Sequence, residues 1–490
     1  MTHPREAPPP GPEGIEVPAK DLPRGSIAGA TLWTLGGEGA TQFLRLISSL
    51  ILTRLLFPEV FGVMAVVQVF IQGLNMFSDL GIRPIIIRHE RGEDPSFLNT
   101  IWTVRLIRGA ILALAFCAIA WPVSRFYGQP LLASILPAAS LNLFLEGLIS
   151  TKIFSYERRL SRARLTLINL SSSVVGIAFM IAWAWVYRSV WALVWGGVVS
   201  TLLKALLSHV ALPGPGNRFH WDRSAWHEVA NFGKWVFLNS VVTFLAMQLD
   251  KLVFAKLIPL SMLGFYAIAN NIIQLPITAV RQVATSVAFP AFSRARNQLA
   301  DLGGIFDRLR LPLLLGGGAG LSFLIFTGPW LIALMYDPRY EAAGWILQVA
   351  AVGGWFAVLE LSQGLMLLTL GHPRWIMVAS TAKILAMLAA VPPAFLAFGF
   401  PGALAAVSIV EAVRFLIESS RVRKAGLKYR RYEGGTTMVV LGCAAAAVFI
   451  QHGPLESDPQ ALRGILSFAA FGAVWIPIAL WYWRRLRRAA

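Results

Sequence analysis

Charge is scarce in this 490-residue chain, with 14% of residues charged against 56% hydrophobic and a mean hydropathy of +0.63. Soluble domains carry roughly 25% charged residues, so the deficit excludes a water-exposed globular class and makes lipid the main solvent. Cysteine is almost missing. Cys117 and Cys443 each lie in an apolar run and form no spaced framework, which excludes a disulfide scaffold and a cysteine-based zinc site. The seven histidines show no paired ligand spacing, and no metal site is expected. No Gly-x-x-x-x-Gly-Lys-Ser/Thr loop occurs; Gly316, Gly317, Gly318 and Gly320 lie within a span and lack the lysine, so ATP is not expected as fuel. Long outer loops are also missing, which leaves no room for an extracytoplasmic catalytic domain and argues against an enzyme.

What is present is a run of apolar segments, each long enough to cross a bilayer at about 17 to 25 residues. Six fall near 27–53, 60–80, 106–126, 131–151, 165–187 and 190–210, and six more near 235–257, 261–289, 311–335, 342–370, 375–398 and 400–420. Two further runs, 436–451 and 464–483, bring the number to about fourteen. The expected organisation is a disordered tail at 1–25, a six-helix bundle at 26–212, a linker at 213–234, a second bundle at 235–424, and two last helices with a basic tail at 425–490. The fold class is thus an all-α polytopic membrane protein, with two pseudo-repeated six-helix bundles around a central cavity.

Two patterns test this division. An offset of 202 residues places Trp33 on Trp235, Arg54 on Lys256, Leu55 on Leu257 and Gly62 on Gly264, as expected of an internally repeated transporter. The net charge of +18 could suggest nucleic acid, but Lys and Arg sit in short clusters between spans. With the N-terminus inside, 30 of them fall in inner segments and six (Arg54, Arg125, Arg188, Lys256, Arg339, Arg463) in outer loops. That asymmetry is the positive-inside signal, and it puts both termini in the cytoplasm. Nucleic acid is not an expected partner. The segment from Phe292 to Arg310 reads as an interfacial amphipathic helix or a solvated basic linker.

Charges within spans are the candidate functional residues, because an ionisable side chain facing lipid at mid-depth costs several kcal/mol. Glu38 and Arg45 lie roughly 18 and 28 Å along the first helix beyond Ser26, with Gln42 near the same face. Glu146, Asp250, Lys251 and Glu360 also lie deep, and each is a candidate for substrate contact or ion coupling, or for a structural intramembrane pair. Asp250 and Lys251 point about 100° apart, so each needs a partner elsewhere. Asp79, Arg105, Arg108, Lys204, Lys383 and Glu418 sit near span ends, where snorkelling explains them. Glu411 and Arg414 are three apart on one face and are expected to neutralise each other. Trp33, Trp102 and Trp235 read as interfacial belt residues. Asn75, Asn142, Asn239, Asn270, Asn271, Gln68, Gln72, Gln248 and Gln274 add neutral polar groups, and their gathering on the first two helices of each half suggests a hydrated lumen between the halves.

Arg54 to Gly62, reading Arg-Leu-Leu-Phe-Pro-Glu-Val-Phe-Gly, with Ser78-Asp79-Leu80-Gly81-Ile82 and Ile85-Ile86-Ile87-Arg88, resembles the opening of the Wzx-type polysaccharide flippases. These belong to the multidrug/oligosaccharidyl-lipid/polysaccharide (MOP) exporter superfamily. The resemblance implies a V-shaped pair of bundles with a cationic cavity. It implies movement of an undecaprenyl-diphosphate-linked oligosaccharide from inner to outer leaflet by alternating access, for O-antigen, capsule or exopolysaccharide export. It also implies coupling to a proton or sodium gradient, no bound cofactor, and work beside polysaccharide polymerase and export proteins among membrane lipids. An Arg in a wet cavity suits a diphosphate, since its guanidinium is a planar bidentate donor. The alternatives are a drug/cation antiporter of the same superfamily, which wants an acidic lumen, and a membrane glycan polymerase or ligase, which wants a large outer loop with paired acids.

Overall fold

The computed structural model describes residues 24–78, 82, 86, 91–159, 161–297, 302–427, 429–430, 432–452 and 460–489, with side chains described outside 24–32, 34–35, 38, 225, 228–239, 452, 460–461, 486 and 488–489. The described residues form helices α1 (Arg24–Leu55), α2 (Pro58–Phe77), α3 (Pro95–Tyr127), α4 (Leu132–Leu148), α5 (Lys152–Arg158), α6 (Arg162–Tyr187) and α7 (Trp191–Val210) in the first half. The second half holds α8 (Arg223–Leu257), α9 (Leu260–Val283), α10 (Phe289–Asn297), α11 (Leu302–Met335), α12 (Ala343–Thr369) and α13 (Arg374–Lys424), and α14 (Tyr432–His452) and α15 (Gln460–Ala489) follow.

Ten of these helices are long and apolar enough to cross a membrane, or eleven when α4 and α5, bent by 59°, count as one broken span. α1 and α8 are of spanning length too, and α13 is two spans, because Gly399 breaks it with φ 65° and ψ −155°. Only glycine takes that backbone conformation readily, and Pro401 restarts the helix two residues on. The total is fourteen, in six, six and two. This is a multi-pass membrane protein.

Two boundaries differ from the sequence expectation. The linker is shorter than 213–234, because α8 already starts at Arg223, where the Asp222 carboxylate accepts from the Ser224 N–H at 2.9 Å and caps it. A hydropathy reading opens a span at its first apolar run and misses a polar first turn. Phe292 to Asn297 is likewise no separate interfacial helix: it continues α9 through a π-helical turn at Ala284–Ala288, and Phe292 is buried. Residues 1–23 and Asp79 lie outside the described residues.

The repeat is visible as a contact. α2 and α9 cross where a Cβ on Gly62 would stand 2.0 Å from the Leu260 carbonyl oxygen, and a Cβ on Gly264 2.0 Å from the Pro58 oxygen. The same offset of 202 links both pairs, so residue 62 meets 260 while 264 meets 58. That reciprocity is the mark of a two-fold relation between the halves. Small residues let the two backbones meet where lipid offers no hydrophobic force between helices.

Candidate functional site

The halves are tied at the end of the molecule where α1 joins α2 and α8 joins α9. Tyr340 donates its hydroxyl to the Leu56 carbonyl at 2.9 Å, and Arg339 donates to the Arg54 carbonyl at 3.1 Å while its guanidinium lies over the Phe57 ring. From the first half Tyr127 reaches the Leu252 carbonyl at 3.4 Å, and from the second half Lys256 donates to the Phe126 carbonyl. Away from that end the symmetry breaks. α2 packs along α8 as well as α9, through the Phe77–Phe244 rings at 4.9 Å and a Gln248 amide donating to Gln72 at 2.7 Å. α1 instead packs on α6, and among the described residues no comparable seam joins it to α9.

The two helices that lack this seam present polar residues at mid-membrane depth. On α1, Arg45 is exposed and has no side-chain partner among the described residues, with Gln42 half-buried beside it. Glu38 lies on the same helix, but its side chain falls outside the described set. On α9, Asn271, Gln274 and Arg281 are exposed and Thr278 half-exposed, at spacings of three, four and three that put all four on one face. Arg45 lies roughly 15 Å from the end of its helix and Gln274 roughly 21 Å from the start of its own. A guanidinium and amides at that depth are too costly against hydrocarbon, so both faces border water. Beside Arg281, an apolar groove of about 410 Å³ runs between α9 and α11, lined by Pro276, Val280, Val283, Val287, Leu313 and Gly316.

The remaining candidates are taken up by neighbours. Glu146 accepts from the Asn75 amide at 3.3 Å, and Asp250 accepts from the Tyr266 hydroxyl. Lys251 donates to Gln248 at 2.9 Å and so joins the α2–α8 seam. Glu360 accepts from Arg414 at 2.6 Å. Asp250 and Lys251 do find separate partners, as their angular separation requires.

Several residues near span ends do not snorkel. Arg105 donates to the Ile149 and Glu146 carbonyls at 2.9 and 2.7 Å, closing the C-terminal turn of α4 where it breaks toward α5. Arg108 does the same for α2 through the Asn75 carbonyl and the Ser78 hydroxyl, at 2.9 and 2.8 Å. Lys383 is buried and pairs with Glu411, so Glu411 and Arg414 do not neutralise each other. Glu418 is fully buried. Trp102 is buried too, donating to the Leu148 carbonyl at 3.3 Å, and is no belt residue.

The loop before α8 straps onto the first half. Arg91 donates to Asp222 at 2.9 Å, and the backbone N–H groups of Asp222 and His220 donate to Thr100 and Thr103 at 3.0 and 3.1 Å. The Arg91 guanidinium and the Ser224 hydroxyl and N–H hold the Asp222 carboxyl well below the usual carboxylate range.

Residues 51–310 match the family described as polysaccharide biosynthesis protein, which covers more than half of the chain. The chain belongs to this polysaccharide biosynthesis protein family. It is 23% identical over 266 residues to the amylovoran biosynthesis protein AmsL of Erwinia amylovora, covering 52% of this chain and 66% of that protein. It is 23% identical over 262 residues to the succinoglycan biosynthesis transport protein ExoT of Rhizobium meliloti (strain 1021), covering 54% and 53%. The chain thus spans about half to two thirds of the length of the curated relatives it matches. Among solved structures, the lipid II flippase MurJ in an inward closed conformation superposes with a TM-score of 0.70 at 13% identity, covering 93% of this chain and 99% of that one. An inward-facing MATE multidrug resistance transporter of the MOP superfamily gives 0.61 at 13% identity, covering 79% and 95%. The family member described here therefore shares the fold of these two structures.

Proposed function

We propose that this protein flips an undecaprenyl-diphosphate-linked oligosaccharide from the inner to the outer leaflet of a bacterial inner membrane, with both termini cytoplasmic, and that it makes and breaks no glycosidic bond. The observation that carries the reading is the exposed Arg45 on α1, without a side-chain partner among the described residues, together with the exposed polar stripe of α9, on two helices that no seam comparable to that of α2 and α8 joins. A diphosphate-sugar headgroup cannot cross hydrocarbon unaided, and an unpaired guanidinium beside amides is a donor set for phosphate and sugar oxygens. The lipid tail stays in the bilayer, where the groove beside Arg281 offers it an apolar wall. The names of AmsL and ExoT support a polysaccharide cargo. A drug/cation antiporter is disfavoured because, among the described side chains, the charge left exposed at mid-depth is Arg45, while Glu146, Asp250 and Glu360 are already partnered. Polysaccharide polymerase and export proteins act downstream in this reading.

The test is transport per inserted protein in proteoliposomes carrying a fluorescent lipid-linked oligosaccharide. Arg45→Ala abolishes flipping with normal insertion, and Arg45→Lys recovers part of it, because an ammonium keeps the charge and loses the fork. Full activity in an Arg45→Ala/Glu38→Gln double variant would show that Arg45 only neutralises an acid, and would sink the substrate-contact role.

A further inference from the structure

Inside the second half, two carboxylates share one guanidinium. Glu360 and Gly364 stand one turn apart on α12, facing Arg414 and Glu418 one turn apart on α13. Arg414 bonds Glu360 at 2.6 Å and lies 3.8 Å from Glu418. A Cβ on Gly364 would lie 3.2 Å from a Glu418 oxygen and 3.4 Å from a Glu360 oxygen, so both carboxylates converge on this bare stretch of helix. The Glu418 side chain has no exposure, and neither of its oxygens has a hydrogen-bond partner among the described residues.

The other charges nearby are already spoken for. Glu411 pairs with Lys383, and Arg310 pairs with Glu433 at 3.0 Å while its Nε reaches Ser362 at 3.1 Å. Tyr429 accepts from Gln363 at 3.2 Å and lies 3.3 Å from the Ser419 hydroxyl. From α8, which also packs on α13, Asp250 is bonded to Tyr266 and Lys251 to Gln248. Arg421 stacks on Trp375, and Arg423 bonds the Ser419 carbonyl at 3.2 Å. Two acids against one base leave a surplus negative charge with no donor, which a low-dielectric interior does not tolerate. A metal cation is a poor remedy, since Arg414 already stands there. A proton is the ligand that fits.

We propose that Glu360, Arg414 and Glu418 form a site for one exchangeable proton, with Glu418 as its carrier. The carboxylate takes the proton from hydronium and leaves water, through the rim of the cluster where Glu360 and Arg414 are 15% and 19% exposed. This deepens the transport reading, resting on it only in that the site is where a proton gradient acts; proton occupancy itself is independent of any cargo.

The experiment is infrared spectroscopy of the purified full chain in lipid nanodiscs at neutral pH, followed through exchange into D2O. The wild type shows a protonated-carboxyl C=O band that shifts on exchange, and Glu418→Gln removes it. Glu360→Gln removes it as well, although it leaves Glu418 in place, because one acid beside one guanidinium ionises. Absence of the band in the wild type, or its survival in either variant, overturns the proposal. Glu360→Gln also carries the test alone if Glu418→Gln does not fold. Loss of glycolipid flipping with the band pattern intact refutes the transport reading and not the proton site.

Discussion

Adding one methyl group at the α2–α9 crossing should loosen the contact that ties the halves together. In Gly62→Ala the new Cβ would sit 2.0 Å from the Leu260 oxygen, whereas ordinary contact begins near 3.4 Å, so the helices must part by about 1.4 Å. Backbone atoms cannot rotate away as a side-chain tip can. Overpacking of this kind costs about 1–3 kcal/mol, which lowers the population of the closed crossing by about 5- to 150-fold. The readout is labelling of Val63→Cys by an impermeant thiol reagent in a background with Cys117 and Cys443 replaced by serine. Val63 is 4% exposed, so the closed form protects it, and Gly62→Ala should speed labelling by that factor. The two-fold relation makes a second demand. Gly264→Ala should act equally, and the double variant should be little worse than either alone, because helices parted for one methyl group have room for the other. Unchanged labelling in both single variants, or strict additivity in the double, would refute the reasoning.

Lys383→Met strands Glu411 in the bundle and should destabilise by about 3–5 kcal/mol, while Lys383→Met/Glu411→Gln recovers most of that; thermal unfolding in detergent measures both, and an equally unstable double variant refutes the pairing. The Asp222 carboxyl is depressed, so its bond to Arg91 contributes fully above the ordinary carboxylate range and is lost only as pH falls through the lowered value. The strap before α8 should therefore resist proteolysis at mildly acidic pH in the wild type and be cleaved at neutral pH in Asp222→Asn. Cysteines at Ser189 and Ser457 should react with an impermeant reagent in intact cells and one at Ser161 should not; the reverse would overturn the topology.

Span number, the two halves and their offset were readable because hydrocarbon imposes them locally. A bilayer demands long apolar runs, and the break between 375–398 and 400–420 fell on the residue that interrupts α13. The charge pairs were not readable in the same way. Glu411 and Arg414 look like a pair because sequence displays only neighbours on one helix, yet each finds a better partner on another span, Lys383 and Glu360. That choice depends on how α12 and the halves of α13 cross, which no local pattern encodes. Arg105 and Arg108 were misjudged for a related reason. Nearness to a span end suggests snorkelling, but α4 breaks at Leu148 and α2 ends at Phe77, and those open carbonyls lie closer than the headgroups. The α9 stripe was partly visible, as Asn271 and Gln274. Reading on to Thr278 and Arg281 at helical spacing would have completed it.

The departure from two-fold symmetry is what gives the fold a direction. If the halves were fully equivalent, α1 would lie along α9 as α8 lies along α2, and Arg45 would be driven against a neighbouring helix. Instead one seam is closed by Gln72, Gln248, Phe77 and Phe244, and the other leaves Arg45, Gln274 and Arg281 exposed. The reciprocal Gly62 and Gly264 contact holds the far end shut whichever seam is closed, since it lies where both halves contribute alike. In the flipping reading proposed above, a cargo bound between α1 and α9 meets charge on one side, apolar groove on the other, and a barrier at the far end. To pass that barrier the glycine crossing must separate. On that proposed reading, access to the two membrane faces exchanges through the one contact that the repeat made symmetric, while the asymmetric seam decides from which side a lipid-linked headgroup enters.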